Sequence, residues 1–268
     1  MTGKQSIQQQ IEHLRNLVFY HNHRYYVLDD PEISDKEYDA LFLQLKNLEG
    51  TNPGLRTSDS PTQTIGAPPI GGFPPVEHNP PMLSLSNAFS WNDFLSWHKR
   101  AVNLTRLDSF DLVCEPKIDG LAVSLVYIEG HLATGATRGD GYRGENVTKN
   151  LRTISNLPVH IRPPVPRLLE VRGEVYFPKS AFENFNTKRM EMGEHPYANP
   201  RNTAAGSLRQ LDPRVTSERP LDYWIYAIGQ FAGNVPPTHW ETLSWLQELG
   251  FNVNPENDCM QSLNEVAN

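Results

Sequence analysis

The sequence predicts an α+β fold, with a helical hairpin at the front and a larger region of antiparallel sheets behind it. Three patterns lead there. Apolar residues recur at helical spacing over the first fifty positions, and period-two alternation recurs from about residue 111. The strand candidates arrive as hairpins and not as strand–helix–strand repeats, which argues against a doubly wound sheet.

In chain order, Ile7, Ile11, Leu14, Val18 and Tyr25 predict an amphipathic helix over residues 5–27, ended by Asp29-Asp30-Pro31. Ser34 has the chemistry of an N-cap, and Glu37 three places on completes a capping box. The helix that follows is expected to bury Tyr38 or Leu41 with Phe42, Leu45 and Leu48, and Gly50 is placed to close it. Residues 51–81 hold eight prolines and four glycines, so a domain boundary is expected there, dividing 1–70 from 71–268. Beyond it come a short strand at Met82–Leu85 and a helix capped by Ser90 that runs to about Leu104, with Phe94, Ala101 and Val102 inward. Strands are expected over 111–118, 121–128 and 131–138, the last two joined by a tight turn at Glu129-Gly130. Another strand is expected over Leu168–Phe177, then a helix near Ser180–Glu191, and a loop opened by Asn199-Pro200-Arg201-Asn202 that leads to a small-residue helix with Arg209. A strand at Tyr223–Ile228 and a helix at Glu241–Leu249 closed by Gly250 complete the prediction.

Composition narrows the function classes. A formal charge of −7 on 268 residues supplies no global basic field for a tight nonspecific grip on nucleic acid. Cys114 and Cys259 stand alone, which indicates neither a disulfide framework nor a cysteine zinc site. No apolar run approaches a membrane span, and residues 1–10 lack a signal-peptide core, so a cytoplasmic protein with no membrane partner is expected.

The chemistry concentrates at Cys114-Glu115-Pro116-Lys117-Ile118-Asp119-Gly120. On a strand, Leu112, Cys114 and Ile118 share one face and Glu115, Lys117 and Asp119 the other. That triad is either an exposed face with a salt bridge or a built site. A lysine nucleophile reacts as the free amine. With a free pKa of about 10.4, only roughly one in a thousand is neutral near pH 7.5. Neighbouring carboxylates hold the proton on, so a divalent metal bound with a phosphate substrate is the expected offset. Arg138, Arg172 and Glu174 are the right types to finish a nucleotide pocket, through phosphate and ribose hydroxyl contacts. At the front, Asp35 and Asp39 lie four apart beside Tyr38, with Tyr25 and Tyr26 just before the connection. Either they serve the hairpin, or they form a cup for a cationic flat ring.

Lys117-Ile118-Asp119-Gly120 is similar to the K-x-D-G motif of covalent nucleotidyltransferases, though four residues alone recur by chance. A longer string narrows the match: Ala136-Thr137-Arg138-Gly139-Asp140-Gly141, Val171-Arg172-Gly173-Glu174-Val175, and Ala198-Asn199-Pro200-Arg201-Asn202 through Gly206-Ser207-Leu208-Arg209-Gln210. With Tyr25-Tyr26 and Asp35-Lys36-Glu37-Tyr38-Asp39, these resemble the bacterial NAD-dependent DNA ligases over nearly the whole chain.

The resemblance implies a nicotinamide mononucleotide (NMN)-binding helical domain and an adenylation domain of the covalent nucleotidyltransferase class. Lys117 would take AMP from NAD, release NMN, and pass AMP to the 5′-phosphate of a DNA nick for sealing in replication and repair. Asp119 would position Lys117 or a metal-bound water. Glu115, Arg138 and Glu174 would bind the adenylate, Ser84 and Leu85 would line the adenine side, and Tyr226 would stack on the base. Tyr25, Tyr26, Asp35, Lys36, Glu37, Tyr38 and Asp39 would serve the NMN half, and Arg201 and Arg209 would meet phosphate on nucleotide or DNA. NAD as substrate, Mg2+ (or Mn2+) and nicked double-stranded DNA are the implied partners of a monomer; zinc would belong only to a four-cysteine module with no counterpart here. Several members carry histidine in place of Tyr26. The family's later D-G-x-V-x-K lysine motif also has no counterpart, so an adenylation domain truncated at its C-terminus, unable alone to seal nicks, is expected. Two other readings stay open: an ATP-dependent nucleotidyltransferase, and a nucleotide-binding fragment without chemistry.

Overall fold

The computed structural model describes residues 6–26, 32–57, 60–63, 72–84, 86–107 and 109–267; the side chains of His23, Tyr25, Tyr26, Asp35 and Lys36 lie outside the described set. The helical hairpin forms from α1 (Ile7–Tyr26) and α2 (Asp35–Thr51). Ile11, Leu14 and Val18 pack against Leu45, with Tyr38, Leu41, Phe42, Leu48 and Leu55 around them; Ile7, expected on this face, is exposed. Ser34 caps α2 as expected. Its hydroxyl accepts the Glu37 N–H at 3.3 Å, and the Glu37 carboxylate accepts the Ser34 N–H at 2.8 Å. Gly50 does not close the helix. α2 runs through it to Asn52, whose backbone N–H and side-chain amide both donate to the Leu48 carbonyl.

A buried carboxylate fastens the next segment to the hairpin. Glu49 accepts hydrogen bonds from Arg15 at 2.6 Å, from Ser60 at 2.7 Å and from Thr62. Burial pushes the Glu49 carboxyl upward, but these donors outweigh it and hold the group below its ordinary range.

The second region contains β1 (Pro75–Glu77), α3 (Trp91–Thr105), β2 (Leu112–Cys114), β3 (Leu121–Ile128), β4 (His131–Thr137), β5 (Arg143–Glu145) and α4 (Thr148–Leu151). After these come β6 (Leu168–Tyr176), α5 (Lys179–Glu191), α6 (Pro200–Leu208), α7 (Pro213–Ser217), β7 (Asp222–Ala232), α8 (His239–Glu248), β8 (Asp258–Met260) and α9 (Leu263–Ala267). The main sheet has the order β4-β3-β6-β7, and β1-β5 and β2-β8 form two-stranded sheets. Every strand pairing among the described residues is antiparallel, so the chain is α+β as predicted.

Leu169, Val171 and Val175 of β6 face a core shared with Val123, Leu125 and Tyr127 of β3, Tyr223 and Ile225 of β7, and Leu243 and Leu246 of α8. Glu129 and Gly130, both at positive φ, make the tight turn between β3 and β4. Gly250, at φ +101, follows the end of α8. Among the described residues no helix is long and apolar enough to cross a membrane.

Several expectations are corrected. The strand predicted over 111–118 ends at Cys114, because Pro116 has no N–H to give a ladder. Met82–Ser84 is irregular behind Pro80-Pro81, and the sheet contact is made instead by β1, with Val76 opposite Gly144; Leu85 lies outside the described residues. Ser90 caps α3 as expected, but no residue of α3 is buried, and Phe94, Ala101 and Val102 are only half-buried. β7 is longer than predicted, and β1, β5, β8, α4, α7 and α9 were not anticipated, all being too short for a periodic signal.

Two bulges disturb the β6–β7 ladder. The pairing steps from Gly173–Ile225 to Arg172–Ala227, which leaves Tyr226 without a partner of its own. It also steps from Val171–Ile228 to Leu169–Phe231, placing Gly229 and Gln230 across from Glu170. Gly120 meets the other edge of β6. A Cβ there would lie 2.3 Å from the Val175 carbonyl oxygen and 2.9 Å from the Glu174 side chain. Gly120→Ala is therefore expected to lower stability by about 1–3 kcal/mol. An unchanged urea midpoint would show that the strands part easily at this point.

Candidate active site

Glu174 is the centre of the candidate site. Its neighbours are fixed by the register of β3 against β6, which sets Ala122 opposite Glu174 and Leu121 opposite Val175. The chain entering β3 therefore carries Lys117 and Asp119 to the Glu174 side of the sheet. The charges of Arg201, Lys117, Arg138 and Asp119 all act on the Glu174 carboxyl. Burial pushes that carboxyl up to about 7; the three cations oppose the rise and Asp119 adds to it.

Glu170 lies on the same face of β6, four residues earlier, and behaves differently. It accepts from Ser124 Oγ at 2.9 Å, from the Gln230 N–H at 2.8 Å and from Arg172 Nε at 3.0 Å. Glu174 takes no hydrogen bond from any described residue. Glu170 is a satisfied structural carboxylate, whereas Glu174 has its acceptor capacity to offer.

The surrounding residues are held by local devices. Asn199 caps α6, its side chain accepting from the N–H groups of Arg201 (2.8 Å) and Asn202 (3.3 Å), with Pro200 at the first helical position. That cap fixes Arg201, whose Nη1 donates to Asp119 Oδ1 at 2.9 Å. The buried Thr203, Ala204, Ala205 and Ser207 are small enough for α6 to pack closely. Arg138 directly follows β4; its N–H donates to the Ala122 carbonyl, and its Nη1 lies 3.4 Å from Ser84 Oγ. Gly139, at φ +55, lets the chain turn there, because a Cβ would sit 1.9 Å from the Arg143 carbonyl oxygen.

Tyr226 completes the group from β7. Tyr223 and Ile225 point into the core, and the bulged, half-buried Tyr226 points away from it. Its hydroxyl is pushed up to about 12 by burial first and then by the charge of Glu174; Arg138, Arg172 and Glu115 also act on it. Glu115 accepts from His239 Nε2 at 2.7 Å. His239 is a site residue that sequence reasoning missed, since 124 positions separate the partners and no local motif links them.

Two further arginines form ion pairs with buried glutamates. Arg172, expected in the pocket, donates to Glu170 and to the carbonyls of Pro81 (2.9 Å) and Pro80, so it anchors the segment that leads to Ser84. Arg209 Nε pairs with the buried Glu145 at 2.9 Å. In the hairpin, Tyr38 is half-buried, donates to Asn22 Oδ1 at 2.7 Å and stacks on Phe42; Asp39 is exposed and Glu37 is engaged with Ser34. The side chains of Tyr25, Tyr26, Asp35 and Lys36 lie outside the described set, as does Leu85, so the expected cup is described only at Tyr38 and Asp39.

Residues 70–268 match the family described as NAD-dependent DNA ligase adenylation domain, and residues 4–66 match DNA ligase-like, N-terminal NAD+-binding domain. The chain belongs to the NAD-dependent DNA ligase family. It is 51% identical over 258 residues to a DNA ligase of Dehalococcoides mccartyi, an alignment covering 96% of this chain and 38% of that protein. Comparable relatives are a DNA ligase of Desulforudis audaxviator, at 52% identity with 95% of this chain and 38% of the relative covered, and one of Carboxydothermus hydrogenoformans, at 49% identity with 99% and 40% covered. The chain thus spans about two fifths of the length of these DNA ligases.

The raised carboxyl in this ligase-family site makes stability depend on pH. Glu174 holds its proton more tightly in the folded chain than at the ordinary value of 4.5, so between that value and about 7 the native state binds more protons. Its contribution therefore falls as pH rises through that window and is constant above it. Urea unfolding between about pH 5 and pH 8 should show a loss on the order of 2 kcal/mol from this group, absent in Glu174→Gln. Equal slopes in both proteins would refute the shift.

Proposed function

We propose that this chain carries the NAD-activating part of a DNA ligase, with Lys117 as the nucleophile that takes AMP. The observation that carries this reading is the gathering of Lys117, Arg138, Arg201 and Asp119 around the unsatisfied carboxyl of Glu174, in a chain of the NAD-dependent ligase family. Residues 1–70 would serve the NMN half of NAD and residues 71–268 the adenylate half.

The residues divide the work by chemistry. The Lys117 amine attacks the α-phosphorus of NAD. A P–N bond forms, the P–O bond to NMN breaks, NMN leaves as its phosphate, and a proton departs from the amine. Arg201 and Arg138 supply guanidinium donors for phosphate oxygens, and binding phosphate would draw Arg201 away from Asp119. Glu174 accepts from ribose hydroxyls, Tyr226 stacks on the base and Glu115 meets the base edge. Arg209, paired with Glu145 through Nε, would meet phosphate on nucleotide or DNA. The AMP then passes to the 5′-phosphate of nicked duplex DNA.

Mg2+ fits this arrangement as an ion brought in with the phosphates. Among the described residues no cluster of three His, Cys, Asp or Glu side chains is gathered to cage a metal. Asp119, exposed and paired through one oxygen, keeps the other available. Mg2+ characteristically uses one or two carboxylates with water and phosphate. When bound, it would neutralise phosphate charge.

Incubation of the chain with NAD and Mg2+, followed by mass spectrometry, should show one adenylyl group attached at Lys117 and none on Lys117→Ala. NAD should still titrate into Lys117→Ala by calorimetry, because the lysine reacts with the nucleotide but does not form the base and ribose contacts. Saturable NAD binding without a mass gain would instead favour a nucleotide-binding module without chemistry. No binding at all would sink the assignment.

A further inference from the structure

We infer that His239 is a positioning residue that sets which base the nucleotide site accepts, by holding the Glu115 carboxylate with one oxygen committed and the other presented to the base edge. This rests on the nucleotide-site reading above.

The contact is built from rigid parts. His239 is the first residue of α8, directly after Thr238. The Thr238 hydroxyl accepts the Glu241 N–H at 3.2 Å, and the Glu241 carboxylate accepts the Thr238 N–H at 3.1 Å. Thr242, Leu243 and Leu246 bury the other side of α8 in the main core. The imidazole therefore starts from a fixed backbone. Its Nε2 meets Glu115 Oε1 at 2.7 Å, with the histidine side chain 41% and the glutamate side chain 26% exposed.

Glu115 needs such a partner. It follows the last residue of β2 and precedes Pro116, in a stretch without a ladder to orient it. Its Oε2 takes no hydrogen bond from any described residue. Glu115 lies close enough to Tyr226 for its charge to act on that ring's hydroxyl. If a base stacks on Tyr226, the carboxylate of Glu115 lies toward the base's edge.

A carboxylate only accepts hydrogen bonds. Held in place, it favours a base presenting an amino donor and disfavours one presenting a carbonyl oxygen, which would leave two acceptors opposed. Adenine and hypoxanthine differ in this way at one position. A Glu115 side chain without its tether can swing away and lose the distinction.

The test is calorimetric titration of NAD and of nicotinamide hypoxanthine dinucleotide in a Lys117→Ala background, where binding proceeds without transfer. With His239 present, NAD should bind about tenfold or more tightly than the hypoxanthine analogue. His239→Ala should bring the ratio close to one, while His239→Gln, whose amide can still donate to Glu115, should retain most of it. Circular dichroism and thermal melting check that each variant is folded. An undiminished ratio in folded His239→Ala overturns the inference alone. So does tighter binding of both nucleotides, which would mean that the histidine competes with the ligand for Glu115. If the background protein binds neither dinucleotide, the nucleotide-site reading falls and the inference with it.

Discussion

The candidate site depends on how closely the chain can approach β6 at residue 120. A Cβ there would lie 2.3 Å from the Val175 carbonyl oxygen and 2.9 Å from the Glu174 side chain, closer than non-bonded atoms pack, so only glycine lets the entry to β3 lie against that edge. The close approach sets where Lys117 and Asp119 stand relative to Glu174, three and one residues before the glycine. The same strand pair then delivers the other groups: Arg138 hydrogen-bonds through its backbone to Ala122, and Ala122 faces Glu174 in the ladder. Removing the space at Gly120 would displace several charged groups together.

Each acidic neighbour of the lysine has a partner from a distant element. Of the two carboxylates that flank Lys117, Asp119 is matched by Arg201 and Glu115 by His239. Both partners come from helix starts fixed by caps, Asn199 for α6 and Thr238 for α8. The lysine's own segment is irregular, so its electrostatic surroundings are set by elements docked from elsewhere. Caps contribute modestly to stability, but here each also aims a side chain at an acidic neighbour of Lys117.

Much of this was legible before the structure, and the misses have physical causes. Long periodic segments such as α1, β6 and α8 were visible because burial on one face imposes a repeat. The motif residues Lys117, Asp119, Arg138, Glu174 and Arg201 come together in space, with Tyr226 turned toward them by a bulge. A strand face was the wrong frame for Glu115, Lys117 and Asp119, because Pro116 ends the ladder. The charge pattern on β6 was correct in phase but could not separate Arg172, which anchors Pro80 and Pro81, from Glu174, which faces its cluster. His239 had no local signal, since the contact with Glu115 exists only after two distant segments dock.

The pair Glu170 and Glu174 shows why alternation alone cannot assign function. Both are glutamates on one face of one strand, and both are taken from water to a large degree. Glu170 faces Gly229, where a Cβ would lie 2.2 Å from its carboxyl carbon, and that missing side chain lets the carboxylate fold over β7 to the Gln230 N–H. Ser124 and Arg172 complete its partners, so its burial is compensated and it links the sheet to the segment before Ser84. Glu174 is surrounded by cations whose attraction does not overcome the loss of water, and its carboxyl stays raised to about 7. Buried acceptor capacity left unmet beside Lys117, Arg138 and Arg201 costs free energy unless a ligand supplies donors. In the proposed function ribose hydroxyls would supply them while phosphates engage the arginines, whereas Glu170, with its partners already in place, is part of the scaffold.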